Sequence, residues 1–140
     1  MSVRKGDRGE GILQVLNKAR ELKKYSIGLI KQEKNFPKST RWIFASPIIE
    51  EVRSACICIR RANSVFVSNE VSREEEFKYR RMEQVKAHAS LDALLDLIND
   101  AYDAGYIDGK QVEYWTGLIL HTDDLLKAWI KSDKEKYNTK

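Results

Sequence analysis

The chain has 140 residues, of which 42% are hydrophobic and 33% charged, with two prolines and seven glycines. That composition is ordinary for one soluble domain with a real core, and so few breakers argue against a many-turned β fold. The net charge of +4 is uneven: residues 1–41 hold eleven Lys/Arg against four Asp/Glu, whereas residues 87–140 hold six against ten. A chain polarised in this way is expected to attract phosphate or an acidic partner to its basic part.

The opening MSVRKGDRGEG is polar and basic, and residues 1–9 read as a flexible arm. Ile12, Val15, Ala19, Leu22, Ser26 and Leu29 then recur at steps of three and four, one face of an amphipathic helix. This first helix is predicted over about residues 10–33, with Lys18, Lys23, Lys24 and Lys31 on its wet side. Asn35-Phe36-Pro37 breaks the pattern, because the residue before proline is pushed out of the α region. Ser39 or Thr40 is the expected cap of a second helix, and Pro47 marks either a kink or a fresh helical start.

The second seam is Ile48, Val52, Ala55, Ile59, Ala62 and Phe66, ended by Asn69. Ser72-Arg73-Glu74-Glu75 has the spacing of a capping box and opens a third helix over about residues 73–104. Its seam is Ala87, Leu91, Leu94, Ile98 and Ala101, widened by Leu95 and Tyr102, with Gly105 as the left-handed stop. The first half of this helix is mostly charged and is expected to stand clear of the other helices or to meet another subunit. Asp108 and Gln111 form a second capping box ahead of a fourth seam, Val112, Trp115, Ile119, Thr122, Leu126 and Trp129. Residues 132–140 read as a polar tail. Four amphipathic helices with short connections predict an all-α fold, an up-down-up-down antiparallel four-helix bundle over residues 10–131.

Chemistry-bearing residues are few. Cys56 and Cys58 would point about 200° apart on a helix, so they read as free thiols in a reducing compartment. His88 falls on the third seam and reads as a hydrogen-bonded core histidine; His121 reads as exposed. There is no Glu-x-x-His pair of the kind that binds metal inside bundles, and no P-loop, GxSxG elbow, HExxH or CxxC pair. Ser90 and Thr122 suit close helix packing. The row Asp92, Asp96, Asp100 and Asp103 reads as a solvated face or a docking strip for a basic partner. No enzymatic activity, metal or cofactor is expected. The polar N-terminus does not resemble a signal peptide, and no apolar run approaches the roughly 18 residues that a membrane span requires. A cytoplasmic location without a membrane partner is therefore expected.

The basic residues carry the functional expectation. Lys38 and Arg41 follow the first helix, Arg53, Arg60 and Arg61 lie on the second, and Arg73, Lys78, Arg80, Arg81 and Lys86 lie on the third. Neighbouring helices could merge them into one surface that holds nucleic acid through its phosphates, without sequence preference. Trp42 and Tyr79 could stack on single-stranded bases. The alternative is intersubunit pairing of these cations with Glu50, Glu51, Glu74 and Glu75.

Three short motifs occur in order: Phe36-Pro37-Lys38 with Arg41, then Ala62-Asn63, then Ala87-x-x-Ser90-Leu91 followed by Gly105-Tyr106-Ile107 and Trp129. In these the chain, over about residues 12–131, resembles the Avd family, the accessory variability determinants of diversity-generating retroelements. That family is similar to the four-helix-bundle proteins encoded in 23S ribosomal RNA intervening sequences. The latter carry a Ser-Ile-x-x-Asn-Ile-Ala-Glu-Gly-like run in the second helix. Here the region reads CICIRRANSVFVSN, keeping only Asn63, which favours the Avd branch.

The resemblance implies a non-enzymatic homo-oligomer, a pentamer in that family. Its implied partners are a reverse transcriptase, RNA and possibly DNA, in support of mutagenic cDNA synthesis and retrohoming. The intervening-sequence relatives imply instead an oligomeric interaction module with no nucleic-acid role. Among the basic residues, Arg41, Arg60, Arg61, Arg80 and Arg81 are the expected contacts on charge alone, with Lys38, Arg53, Arg73 and Lys86 beside them.

Overall fold

In a computed structural model the described residues are 5–67 and 70–137, with backbone alone for residues 5–10. Among them the chain is all-α, with no strand: α1 (Lys5–Ile30), a 3-10 turn (Lys38–Thr40), α2 (Ala45–Asn63), α3 (Arg73–Asp103) and α4 (Gly109–Tyr137). The main contacts join α1 to α2 and α4, and α3 to α2 and α4.

The seams meet as their spacing requires. Leu22, Ile48, Val52, Leu94, Ile98, Trp115, Ile119 and Leu126 are wholly buried. Burying each large apolar side chain is worth about 1.5–3 kcal/mol, so this core supplies the main driving force. The one seam position of α1 occupied by serine is explained by a hydrogen-bonded chain. Trp115 Nε1 donates to Ser26 Oγ at 2.8 Å, and Ser26 Oγ donates to the Leu22 carbonyl at 2.7 Å. A buried indole N–H needs a partner, and the hydroxyl provides it without opening the core. Phe36, Phe44 and Tyr106 close one end, with ring centroids 5.9 Å (Phe36–Tyr106) and 4.7 Å (Phe44–Tyr106) apart.

The helix stops follow local chemistry. Gly105 has φ +87°. Around it the Tyr106 N–H donates to the Ala101 carbonyl at 2.9 Å, and the Gly105 N–H donates to the Tyr102 carbonyl at 3.0 Å. These two bonds form a Schellman stop for α3. At the start of α4, Asp108 Oδ1 accepts from the Gln111 N–H at 2.8 Å and Gln111 Oε1 accepts from the Asp108 N–H at 2.9 Å. This is the reciprocal capping box that the sequence predicts. Ser72 precedes α3 as expected, but its side chain makes no capping bond.

Several boundaries differ from the sequence reading. α1 already begins at Lys5, so part of the expected arm is helical, while residues 1–4 lie outside the described residues. Ser39 and Thr40 fall in the 3-10 turn rather than capping α2. Pro47 resolves to the first turn of α2, where its missing N–H has no intrahelical acceptor to lose. α2 ends at Asn63, leaving Phe66 outside the helix and 79% exposed; the expected stop, Asn69, lies outside the described residues. The fourth helix does not stop at residue 131 but continues through Tyr137, because Asp133 has a buried partner.

The charged first half of α3 does not stand clear either. Arg80, Glu83 and Gln84 are buried.

Candidate nucleic-acid interface

The ten basic positions expected to share one surface are distributed over several environments, with Lys78 exposed on α3. Arg80 is the clearest correction. It is only 6% exposed, and its guanidinium grips Asp133 with two bonds: Nε to Oδ2 at 2.6 Å and Nη2 to Oδ1 at 3.1 Å. Arg80 Nη1 donates to the Val65 carbonyl at 3.0 Å, and the Trp129 ring lies 5.0 Å from its guanidinium carbon. Gln84 Nε2 donates to the same Asp133 carboxylate at 2.8 Å. Arg80 is therefore a structural cation that joins the start of α3 to the end of α4. Buried and neutralised by Asp133, it is not available as a surface phosphate contact.

Arg73 is half-buried at the same end, with Nη2 3.5 Å from the Lys136 carbonyl and its guanidinium 5.8 Å from the Tyr137 ring centroid. Arg41 folds back on its own loop, Nε donating to the Phe36 carbonyl at 3.4 Å. Lys38 is exposed and 3.7 Å from Glu33. Lys86 is exposed and 4.0 Å from the buried carboxylate of Glu83. Arg81 is half-buried.

Arg53, Arg60 and Arg61 are exposed on α2, and among the described residues none of them enters an ion pair. Glu50 and Glu51 sit on the same helix without engaging them. The two consecutive arginines do not act together, since neighbours on a helix diverge by about 100°. Arg60 turns toward α1 and lines a groove of about 290 Å³ between α1 and α2. Arg20 and Lys23 of α1 line the same groove, with Asn17 beside them and Leu16, Cys56 and Ile59 among its apolar walls. No carboxylate lines it among the described residues. Of its two α1 cations the sequence reading places only Lys23 on the wet side and does not single out Arg20; pairing them with Arg60 needs the α1–α2 contact.

Of the two candidate stacking rings, Trp42 is 73% and Tyr79 49% exposed. A second cavity, of about 630 Å³, lies between the start of α1 and the end of α4, walled by Ile12, Leu125, Trp129 and the Arg80–Asp133 pair.

Elsewhere polar groups are spent on helix packing. Ser90 Oγ donates to Ser54 Oγ at 3.0 Å, and Thr122 Oγ1 donates to the Leu118 carbonyl at 2.7 Å. His88 is half-buried rather than a core residue, with Nδ1 2.7 Å from Asp123 Oδ1; Lys127 Nζ lies 3.4 Å from Oδ2 of the same carboxylate. His121 is exposed. Among the described residues no group of three or more His, Cys, Asp or Glu is placed to hold a metal ion.

Both cysteines are free, Cys58 buried and Cys56 half-buried. Burial pushes the Cys56 thiol up, and the nearby Lys23 ammonium partly offsets it. Burial likewise pushes Cys58 up, reinforced by the Glu83 carboxylate. The Cys56 Sγ donates to the Ala19 carbonyl at 3.5 Å across the α1–α2 contact. Among the described residues no helix is long and apolar enough to cross a membrane. No protein-family model, curated protein or solved structure matches the chain.

Proposed function

We propose that this chain is an Avd-type accessory protein, a non-enzymatic cytoplasmic homo-oligomer that associates with a reverse transcriptase and its template RNA. The observation that carries the reading is that Arg53, Arg60 and Arg61 stand exposed on α2 and outside every ion pair among the described residues, although Glu50 lies three residues from Arg53 on the same helix. Cations left unneutralised in this way are available to phosphates, whose contacts supply sequence-independent affinity. The polymerase would supply the chemistry and this protein the binding surface.

The up-down-up-down antiparallel arrangement belongs to the same reading. It is supported by opposed numbering across α3 and α4, where Arg80 meets Asp133 and His88 meets Asp123. It is also supported by the shared ring cluster of Phe36, Phe44 and Tyr106. A pentameric assembly rests on the family resemblance.

The test is size-exclusion chromatography with light scattering, with a reverse transcriptase encoded beside the gene and with a structured RNA at about 0.15 M salt. The expected result is an oligomer that shifts with both. Combined reversal of Arg53, Arg60 and Arg61 to Glu should weaken the RNA shift. An oligomer indifferent to RNA and polymerase would favour the intervening-sequence type of interaction module.

A further inference from the structure

We infer that the α1–α2 groove is a seat for the backbone of a single-stranded RNA, with Arg20, Lys23 and Arg60 as its phosphate contacts. The inference rests on the nucleic-acid reading above and adds a location and a substrate class to it. Three cations from two helices converge on one cleft, and no carboxylate among its described lining neutralises them. None of the three enters an ion pair among the described residues; the neighbouring Lys18 instead pairs with Glu21 at 3.2 Å. Like charges held together repel one another, so the arrangement is relieved by an anion of matching length. A planar guanidinium on each wall suits bidentate contact with phosphate oxygens.

The shape selects the occupant. At about 290 Å³ the cleft lies at the small end of ligand pockets, roughly 300–1,000 Å³. A cleft of that volume can take in a short stretch of one flexible strand but not a duplex. The apolar walls, Leu16 and Ile59, with Leu13 exposed at the edge, offer a surface on which a ribose or base can lie. Cys56 lines the groove and is half-buried, while Cys58 two residues on is buried against α3. The protein therefore carries its own probe of the cleft, with an internal control.

The test uses the full chain and a single-stranded RNA of about 10 nucleotides. Fluorescence anisotropy is read over a salt series for wild type, for a groove variant (Arg20→Gln, Lys23→Gln, Arg60→Gln) and for an outer variant (Arg53→Gln, Arg61→Gln, Lys86→Gln). Each lost phosphate contact lowers the salt slope by about 0.7 for a single strand. The groove variant should therefore lose about 2 from the slope and roughly tenfold or more in affinity near 0.15 M salt. The outer variant should lose several-fold less.

In parallel, the alkylation rate of wild-type Cys56 is followed by peptide mass spectrometry with the RNA, with a duplex, or with tripolyphosphate. RNA should slow it several-fold, the duplex much less, and Cys58 should stay slow throughout. Unchanged binding by the groove variant, with the loss carried by the outer variant and no protection of Cys56, would overturn the groove while leaving the nucleic-acid reading intact. Protection by tripolyphosphate but not by RNA would overturn the RNA occupant. A wild-type protein that binds no RNA would overturn both readings.

Discussion

Arg80 and Asp133 illustrate how burial changes what a charged residue is for. Two ions removed from water offset the cost of desolvation only with good geometry and further hydrogen bonds. Here the guanidinium reaches Asp133, the Val65 carbonyl and the Trp129 face. Asp133→Ala should therefore destabilise the fold by about 3–5 kcal/mol, because it strands a buried cation. The joint change Arg80→Met with Asp133→Leu should recover most of that loss; urea denaturation followed by circular dichroism reads both.

The cysteines make a second prediction at this scale. Their thiols are raised above the ordinary value near 9.0 by burial. As pH rises through 9 the unfolded chain loses these protons first. Their contribution is thus fully present below about pH 9 and is lost as pH climbs toward the folded values. Stability measured from pH 7 to 10.5 should fall less steeply above pH 9 in Cys58→Ser than in wild type. Equal slopes would show that burial does not hold the Cys58 proton.

At the scale of the helix, the start of α4 and the end of α3 are set by side chains within a few residues. Asp108→Ala removes the acceptor of the Gln111 N–H and should cost about 1 kcal/mol. Two glycine substitutions should have opposite signs. At Gly105 a Cβ meets nothing within 4 Å, yet φ is +87°, so Gly105→Ala should destabilise by about 1–2 kcal/mol through backbone strain alone. At Gly117, inside α4 and equally open, Gly117→Ala should stabilise by about 1 kcal/mol. Differential scanning calorimetry should show melting temperatures moving oppositely by a few degrees.

For the whole molecule the uneven charge is the governing feature. The basic excess lies in residues 1–41, while Asp92, Asp96, Asp100 and Asp103 are exposed along the second half of α3. If RNA is held on the α1–α2 side, changing these four aspartates to asparagine should leave affinity unchanged or raise it slightly, by less than about threefold, through relief of long-range repulsion. A large loss of RNA affinity in that variant would place the binding surface on α3 instead.

Much of the fold was legible in local pattern. The seams of α1 to α4, the Gly105 stop and the Asp108–Gln111 box depend on spacings of three to five residues, which the sequence carries directly. The end of α2 and the length of α4 were not legible, because Phe66 continues a helical spacing although no neighbour covers it, and Asp133 looks like tail until Arg80 is seen beside it. The same limit applied to the site. Sequence alone determined which residues are cations; only the tertiary structure decided that Arg80 is buried, that Arg41 turns back on its loop and that Arg60 shares a groove with Arg20 and Lys23. The physical reason is that a side chain's charge belongs to the residue, whereas its exposure and partners belong to contacts between helices far apart along the chain.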